Sequence, residues 1–158
     1  MITFLKLVTI IALFISTSCG FKVSNNALYG EYYIKNIENI QSNKVDFLIK
    51  QNLRNKLSNE NALKKITLEI NNLKTKEINE KNIQNQVTKY ELEISSELTL
   101  TFLGNMKTYN INVKSKGIYN VSTSHIGTKK NQENLEKYLA NKNVEKILKE
   151  INNLKNDI

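Results

Sequence analysis

Thr88-Lys89-Tyr90-Glu91-Leu92-Glu93-Ile94-Ser95-Ser96-Glu97-Leu98-Thr99-Leu100-Thr101-Phe102 is the stretch that decides the fold. Tyr90, Leu92, Ile94, Leu98, Leu100 and Phe102 share one parity, and Lys89, Glu91, Glu93, Glu97, Thr99 and Thr101 share the other. Successive side chains of a strand point to opposite faces, so this alternation predicts a β-strand with one buried and one wetted face. Fifteen residues at about 3.3 Å each give a strand near 50 Å long, which leads us to expect a bend or bulge near Ser95-Ser96. Gly104-Asn105 follows as a hairpin turn. Beyond it Tyr109, Ile111, Val113, Tyr119 and Val121 alternate against Asn110, Asn112, Lys114, Lys116 and Asn120, with Gly117 as an expected bulge.

Working outward, Lys64–Asn71 repeats the pattern, with Ile66, Leu68 and Ile70 on one side. The polar run Asn72–Gln86 reads either as a long loop or as strand ends that project beyond the sheet. Upstream, Tyr32, Ile34 and Ile40 suggest a first strand. Ser42-Asn43 supplies a helix N-cap, and Asp46 three residues after Asn43 completes a capping box. Val45, Leu48, Ile49, Leu53 and Leu57 then recur at three- and four-residue spacing, the apolar stripe of a helix of about four turns. The last segment carries Leu135, Tyr138, Leu139, Val144, Ile147, Leu148, Ile151 and Leu154 on a second helical stripe, whose phase drifts so that Asn141–Asn143 is expected to break it in two. Two amphipathic helices can cover only one face of four strands. The fold class expected is therefore α+β: a two-layer sandwich with two helices packed on one face of a four-stranded, mostly antiparallel sheet.

The chain has 158 residues, 40% of them apolar and 24% charged, as a single globular domain requires. One cysteine excludes a disulfide framework, and one histidine excludes a multi-His metal centre. The net charge is +8, yet Arg54 is the only arginine among 23 basic residues. Proteins that read nucleic acid use arginine for bidentate phosphate and guanine contacts, so no nucleic-acid partner is expected. Glu91, Glu93 and Glu97 lie on the wetted side of an alternating strand and read as a solvated charged face, not as an acid–base pair. His125 beside Ser122, Thr123 and Ser124 reads as a polar turn before the last helix, because a nucleophile and base adjacent in sequence rarely reach triad geometry. No glycine-rich phosphate loop and no GxSxG elbow occurs, so neither an enzyme nor a cofactor is expected.

The first residues carry their own message. Lys6 precedes the apolar run Leu7–Ile15, too short to span a bilayer but matched to a secretory signal. Ser16-Thr17-Ser18-Cys19 follows, and resembles a bacterial lipobox in which the chain is cut before a cysteine that is then lipidated. Residues 1–18 are accordingly expected to be a removed signal peptide, 19–30 a lipidated tether, and 31–158 one α/β domain. Gly20 after the cysteine, in place of aspartate, points to the outer membrane.

Four matches in order resemble the lipopolysaccharide-assembly lipoprotein family LptE. They are Cys19-Gly20-Phe21 with Leu28-Tyr29-Gly30; Gln51-Asn52-Leu53-Arg54-Asn55-Lys56-Leu57; Tyr90-Glu91-Leu92; and Tyr119-Asn120-Val121-Ser122-Thr123-Ser124 before the final helix. The resemblance implies a non-enzymatic lipoprotein on the periplasmic side of the outer membrane. Such a protein plugs and helps assemble the β-barrel of the translocon LptD and binds lipopolysaccharide during its insertion. A polar sheet face suits the polar lumen of a large barrel. On this reading Glu91, Glu93, Lys114 and Lys116 are candidates for the barrel-partner face, and Lys74, Lys76, Lys81 and Lys107 for lipopolysaccharide phosphate. The commonplace reading of the same lysines is solubility at strand tips. The alternative function is a free-standing lipoprotein that carries or chaperones an apolar ligand, which requires a hydrophobic cavity between helices and sheet. Intact mass of the mature protein is expected to show a chain beginning at Cys19 and carrying palmitate-length acyl chains; an unmodified Cys19 thiol contradicts the anchor.

Overall fold

The computed structural model describes residues 30–39 and 43–154. The expected signal peptide, Cys19, the tether up to Tyr29, and Ile40 lie outside the described residues. The order of elements is β1 (Tyr32–Asn39), α1 (Lys44–Lys56), β2 (Lys64–Lys81), β3 (Val87–Phe102), β4 (Thr108–Asn120) and α2 (His125–Asn153). The strands form one sheet in the order β1-β2-β3-β4, with β1 parallel to β2 and the other pairs antiparallel. Helix α1 packs on β1 and β2, helix α2 on β3 and β4, and the two helices touch each other. The expected α+β architecture is the one found.

The core is the parity read from sequence. Ile66, Leu68 and Ile70 of β2, Leu92, Ile94, Leu98, Leu100 and Phe102 of β3, and Ile111, Val113 and Tyr119 of β4 are buried beneath the helices. Helix α1 contributes Val45, Ile49 and Leu53, and α2 contributes Leu139, Ala140, Val144, Ile147, Leu148 and Ile151. The capping box is present: the Asp46 amide donates to Asn43 Oδ1 at 3.0 Å and the Asn43 amide to Asp46 Oδ2 at 2.9 Å. Asp46 also accepts from Asn72 Nδ2 of β2 at 2.6 Å, so the cap fastens α1 to the sheet.

Four local expectations need correction. β3 pairs in unbroken register on both sides of Ser95-Ser96, so there is no bulge there. Ser96 is instead a buried core position, and Asn143 Nδ2 donates both to its hydroxyl and to the Ile94 carbonyl at 3.0 Å. The same contact keeps α2 whole. Asn143 belongs to the buried stripe 139, 140, 143, 144, 147, 148 and 151, and the apparent phase drift is one polar residue inside an otherwise regular spacing. Gly117 makes no bulge either: its register is continuous, and a Cβ there would stand 2.9 Å from Leu135 Cδ1, so the missing side chain admits α2. In β1 the bulge lies between Ile34 and Asn36, which flips the parity and turns Ile37 inward.

The run Asn72–Gln86 resolves as projecting strand. β2 continues to Lys81, paired with β3 throughout, whereas β1 reaches only to Ile70. Asn82 closes the hairpin: its side-chain oxygen accepts from the amides of Gln84 and Gln86 at 3.0 and 2.9 Å. At the other end the β3–β4 turn closes by the Phe102 amide donating to the Lys107 carbonyl, and Met106, with φ 57°, takes the left-handed position while Gly104 does not. Asn143→Ala leaves the Ser96 hydroxyl and the Ile94 carbonyl under α2 without their donor, and is expected to cost about 1–3 kcal/mol, read as a lower urea midpoint at unchanged slope.

Candidate functional site

Two surfaces carry the polar side chains singled out in the sequence. On the sheet face away from the helices, Glu91 and Glu93 of β3 meet Lys116 and Lys114 of β4. Lys116 Nζ stands 3.4 Å from Glu91 and Lys114 Nζ 4.0 Å from Glu93, diagonal pairs across neighbouring strands. The structure brings all four together. Exposed pairs of this kind contribute about 0–1 kcal/mol each; their consequence is a face that presents charge beside the exposed Leu73 and Ile118.

The second surface lies where α2 begins. Lys74 and Lys76 are strand residues of β2, on its helix-facing side. Lys74 Nζ is 2.9 Å from Glu136, whose side chain is only 4% exposed. Burial alone would raise the Glu136 pKa. The hydrogen bond from Gln132, the hydrogen bond and charge of Lys74, and the charge of Lys44 on α1 outweigh it, and the carboxyl is held below its ordinary value. Lys74 is thus a partner of the fold.

Lys76 sits 3.9 Å above the Tyr90 ring and 3.4 Å from Gln132 Oε1, which also accepts from the Tyr119 hydroxyl at 3.0 Å. Tyr90 and Tyr119 stack at 5.6 Å across β3 and β4. Lys76, Tyr90 and Gln132 border a cleft of about 670 Å³ lined also by Val87, Val121, Ser122, His125, Thr128 and Lys129. Its lining holds Lys76, Lys129 and His125 and no carboxylate. The volume is that of a small-molecule site. The lining mixes the apolar and aromatic Val87, Tyr90 and Val121 with the cations Lys76 and Lys129, which suits an anion carried on a ring or chain.

Sequence reasoning singled out Lys76 but missed Lys129 and Gln132. The signal was present: 125, 128, 129, 132 and 136 extend the stripe of α2 by the same three- and four-residue steps toward its N-terminus. His125 is the first residue of α2, after the Ser124 cap, and not part of a preceding turn. The Thr128 hydroxyl one turn on donates to the Ser122 and Ser124 carbonyls. Among the described residues no three His, Cys, Asp or Glu side chains come together to hold a metal.

The four candidate lysines do not form one patch. Lys81 ends β2 beside the hairpin, near the cleft's end of the sheet. Lys107 lies in the β3–β4 turn, the full length of β3 away: sixteen residues, or about 50 Å. Between helices and sheet Ile49, Leu53, Leu92, Ile94, Leu100, Leu139 and Ile147 are fully buried, which counts against an apolar-ligand carrier.

No protein-family model matches the sequence, and no curated protein matches it. Solved structures do. Rare lipoprotein B of Shewanella oneidensis superimposes with a TM-score of 0.61 at 14% identity, over 79% of this chain and 97% of the other. A lipoprotein of Caulobacter crescentus CB15 gives 0.55 at 14%, over 81% and 92%. Lipoprotein B of Nitrosomonas europaea gives 0.55 at 14%, over 77% and 82%. At such identities the likeness is one of fold.

The Glu136 carboxyl titrates lower in the folded chain than in the unfolded one. Its contribution to stability is therefore complete above the ordinary carboxylate value of about 4.3 and is lost as pH falls through the lower folded-state value. Glu136→Gln is expected to flatten the acid limb of the stability curve, measured by urea unfolding between neutral pH and pH 3.

Proposed function

We propose that this chain is a non-enzymatic outer-membrane lipoprotein, acylated at Cys19 and held on the periplasmic side. In this reading it fills and helps assemble an LptD-type β-barrel and binds lipopolysaccharide on its way into the membrane. Three things support the reading: the lipobox, the sequence matches to the LptE family, and a fold shared with lipoproteins. The observation that carries it is the two-sidedness of the sheet. One face is sealed by two helices; the other presents Glu91, Glu93, Lys114 and Lys116 in cross-strand pairs. Such a face can stand against the polar lumen of a barrel without burying unpaired charge.

Lipopolysaccharide is an amphiphile with phosphate on a sugar. The cleft at the start of α2 offers that chemistry two ammonium groups, hydroxyls and a tyrosine wall, with Lys81 at the neighbouring end of β2. Lys76 is already steadied by Tyr90 and Gln132, so little side-chain freedom is lost when it meets a phosphate oxygen. Lys107 is too distant to share the same headgroup.

Tagged chain extracted from its native membrane in mild detergent is expected to bring a large β-barrel with it; extraction without one overturns the plug. Lys76→Ala with Lys129→Ala is expected to weaken lipopolysaccharide capture by roughly tenfold or more, the loss of a charge-assisted contact or two. Lys107→Ala should leave capture unchanged.

A further inference from the structure

The end of the domain opposite the cleft carries two exposed apolar side chains beside lysines. β1 begins there, with the Lys64 amide donating to the Glu31 carbonyl and Asn59 Nδ2 to the Gly30 carbonyl. β2 starts there at Lys64, and the β3–β4 turn closes there, with the Leu103 amide donating to the Lys65 carbonyl. Leu63 is 99% exposed and Met106 69% exposed, at the start of β2 and in the turn. Leu63 shares a small surface pocket with Gly104 and Asn105, the residues just before Met106. Lys64, Lys65 and Lys107 stand beside these two apolar side chains, and α1 brings Arg54 and Lys56 to the same end.

We propose that this end, where Leu63 and Met106 adjoin Lys64, Lys65 and Lys107 and the carboxylates are Glu31 and Glu60, is a membrane-docking surface that seats on anionic phospholipid headgroups. Two observations select a bilayer as the occupant. First, Gly30 opens the described chain at this end, and only ten residues lie between it and Cys19. Fully extended, they reach roughly 40 Å, so an anchor at Cys19 keeps this end within reach of the membrane that holds it. Second, the side chains have the chemistry of an interface. Exposed Leu and Met enter the boundary of headgroup and acyl chain, and flanking lysines meet lipid phosphate while their stems cover apolar surface. The β2–β3 hairpin lies about one β3 length, or some 50 Å, from the docked end. The inference rests on the anchor at Cys19 and is independent of the barrel partner.

The chain contains no tryptophan, so one introduced residue is a unique fluorophore. The full acylated chain carrying M106W, and separately I83W at the far hairpin, is reconstituted into vesicles of phosphatidylethanolamine and phosphatidylglycerol with brominated acyl chains. M106W emission is expected to move to shorter wavelength and to be quenched, and I83W emission to remain that of an exposed indole. Adding Lys64→Glu and Lys65→Glu to M106W should remove the quenching, as should vesicles of phosphatidylcholine alone. Flotation of the chain with the vesicles reads the anchor separately. A chain that floats while M106W and I83W are equally unquenched overturns the docking surface and leaves the anchor standing. A chain that fails to float at low salt overturns both.

Discussion

Everything in this fold follows from β3 being paired along both edges for its whole length while only one of its faces can be covered. A strand in that position has its backbone hydrogen bonds satisfied by β2 and β4, and its side chains must sort by parity. Leu92, Ile94, Leu98 and Leu100 go beneath the helices, and Glu91, Glu93 and Glu97 stay outside. With two helices available, no second layer exists for the other face. That face must remain in water or meet a partner as polar as itself. The division between a sealed and a charged side is thus a packing constraint before it is a functional one.

Helix α2 accommodates two polar residues within its buried stripe, and each has a specific answer from the sheet. Asn143 donates to Ser96 and the Ile94 carbonyl; Glu136 receives Lys74 and Gln132. Such pairings favour one position of a helix along the sheet, because a slip of one turn would leave the Asn143 amide nitrogen and the buried Glu136 carboxylate without these partners. Asn143 and Glu136 therefore fix where α2 begins, and with it where His125, Lys129 and Gln132 stand relative to Lys76 and Tyr90. The cleft is a product of this register.

The domain is consequently two-ended. At one end the chain enters from its N-terminal segment, and exposed Leu63 and Met106 sit among lysines. At the other, β2 and β3 outrun β1 and reach past the start of α2, where Lys76 and Lys129 line a cleft that holds no carboxylate. Along β3 the two ends stand about 50 Å apart.

Much of this was legible in the residues. Period-two alternation marked β3, β4 and the first half of β2, the Asn43–Asp46 box marked the start of α1, and the count of amphipathic faces required a two-layer α+β fold. Those features are local, set by spacing within one segment, and a single chain displays them. Strand order, the parallel seating of β1, the length of β2 and the partners of Lys74 and Lys76 depended on residues distant in sequence. A lysine's alternation does not say whether Glu136 waits 62 positions on, nor does a glycine reveal that Leu135 will cross above it. The chemistry of each side chain was fixed by the sequence, and its neighbours were decided by tertiary packing, because burial and pairing are properties of two segments at once.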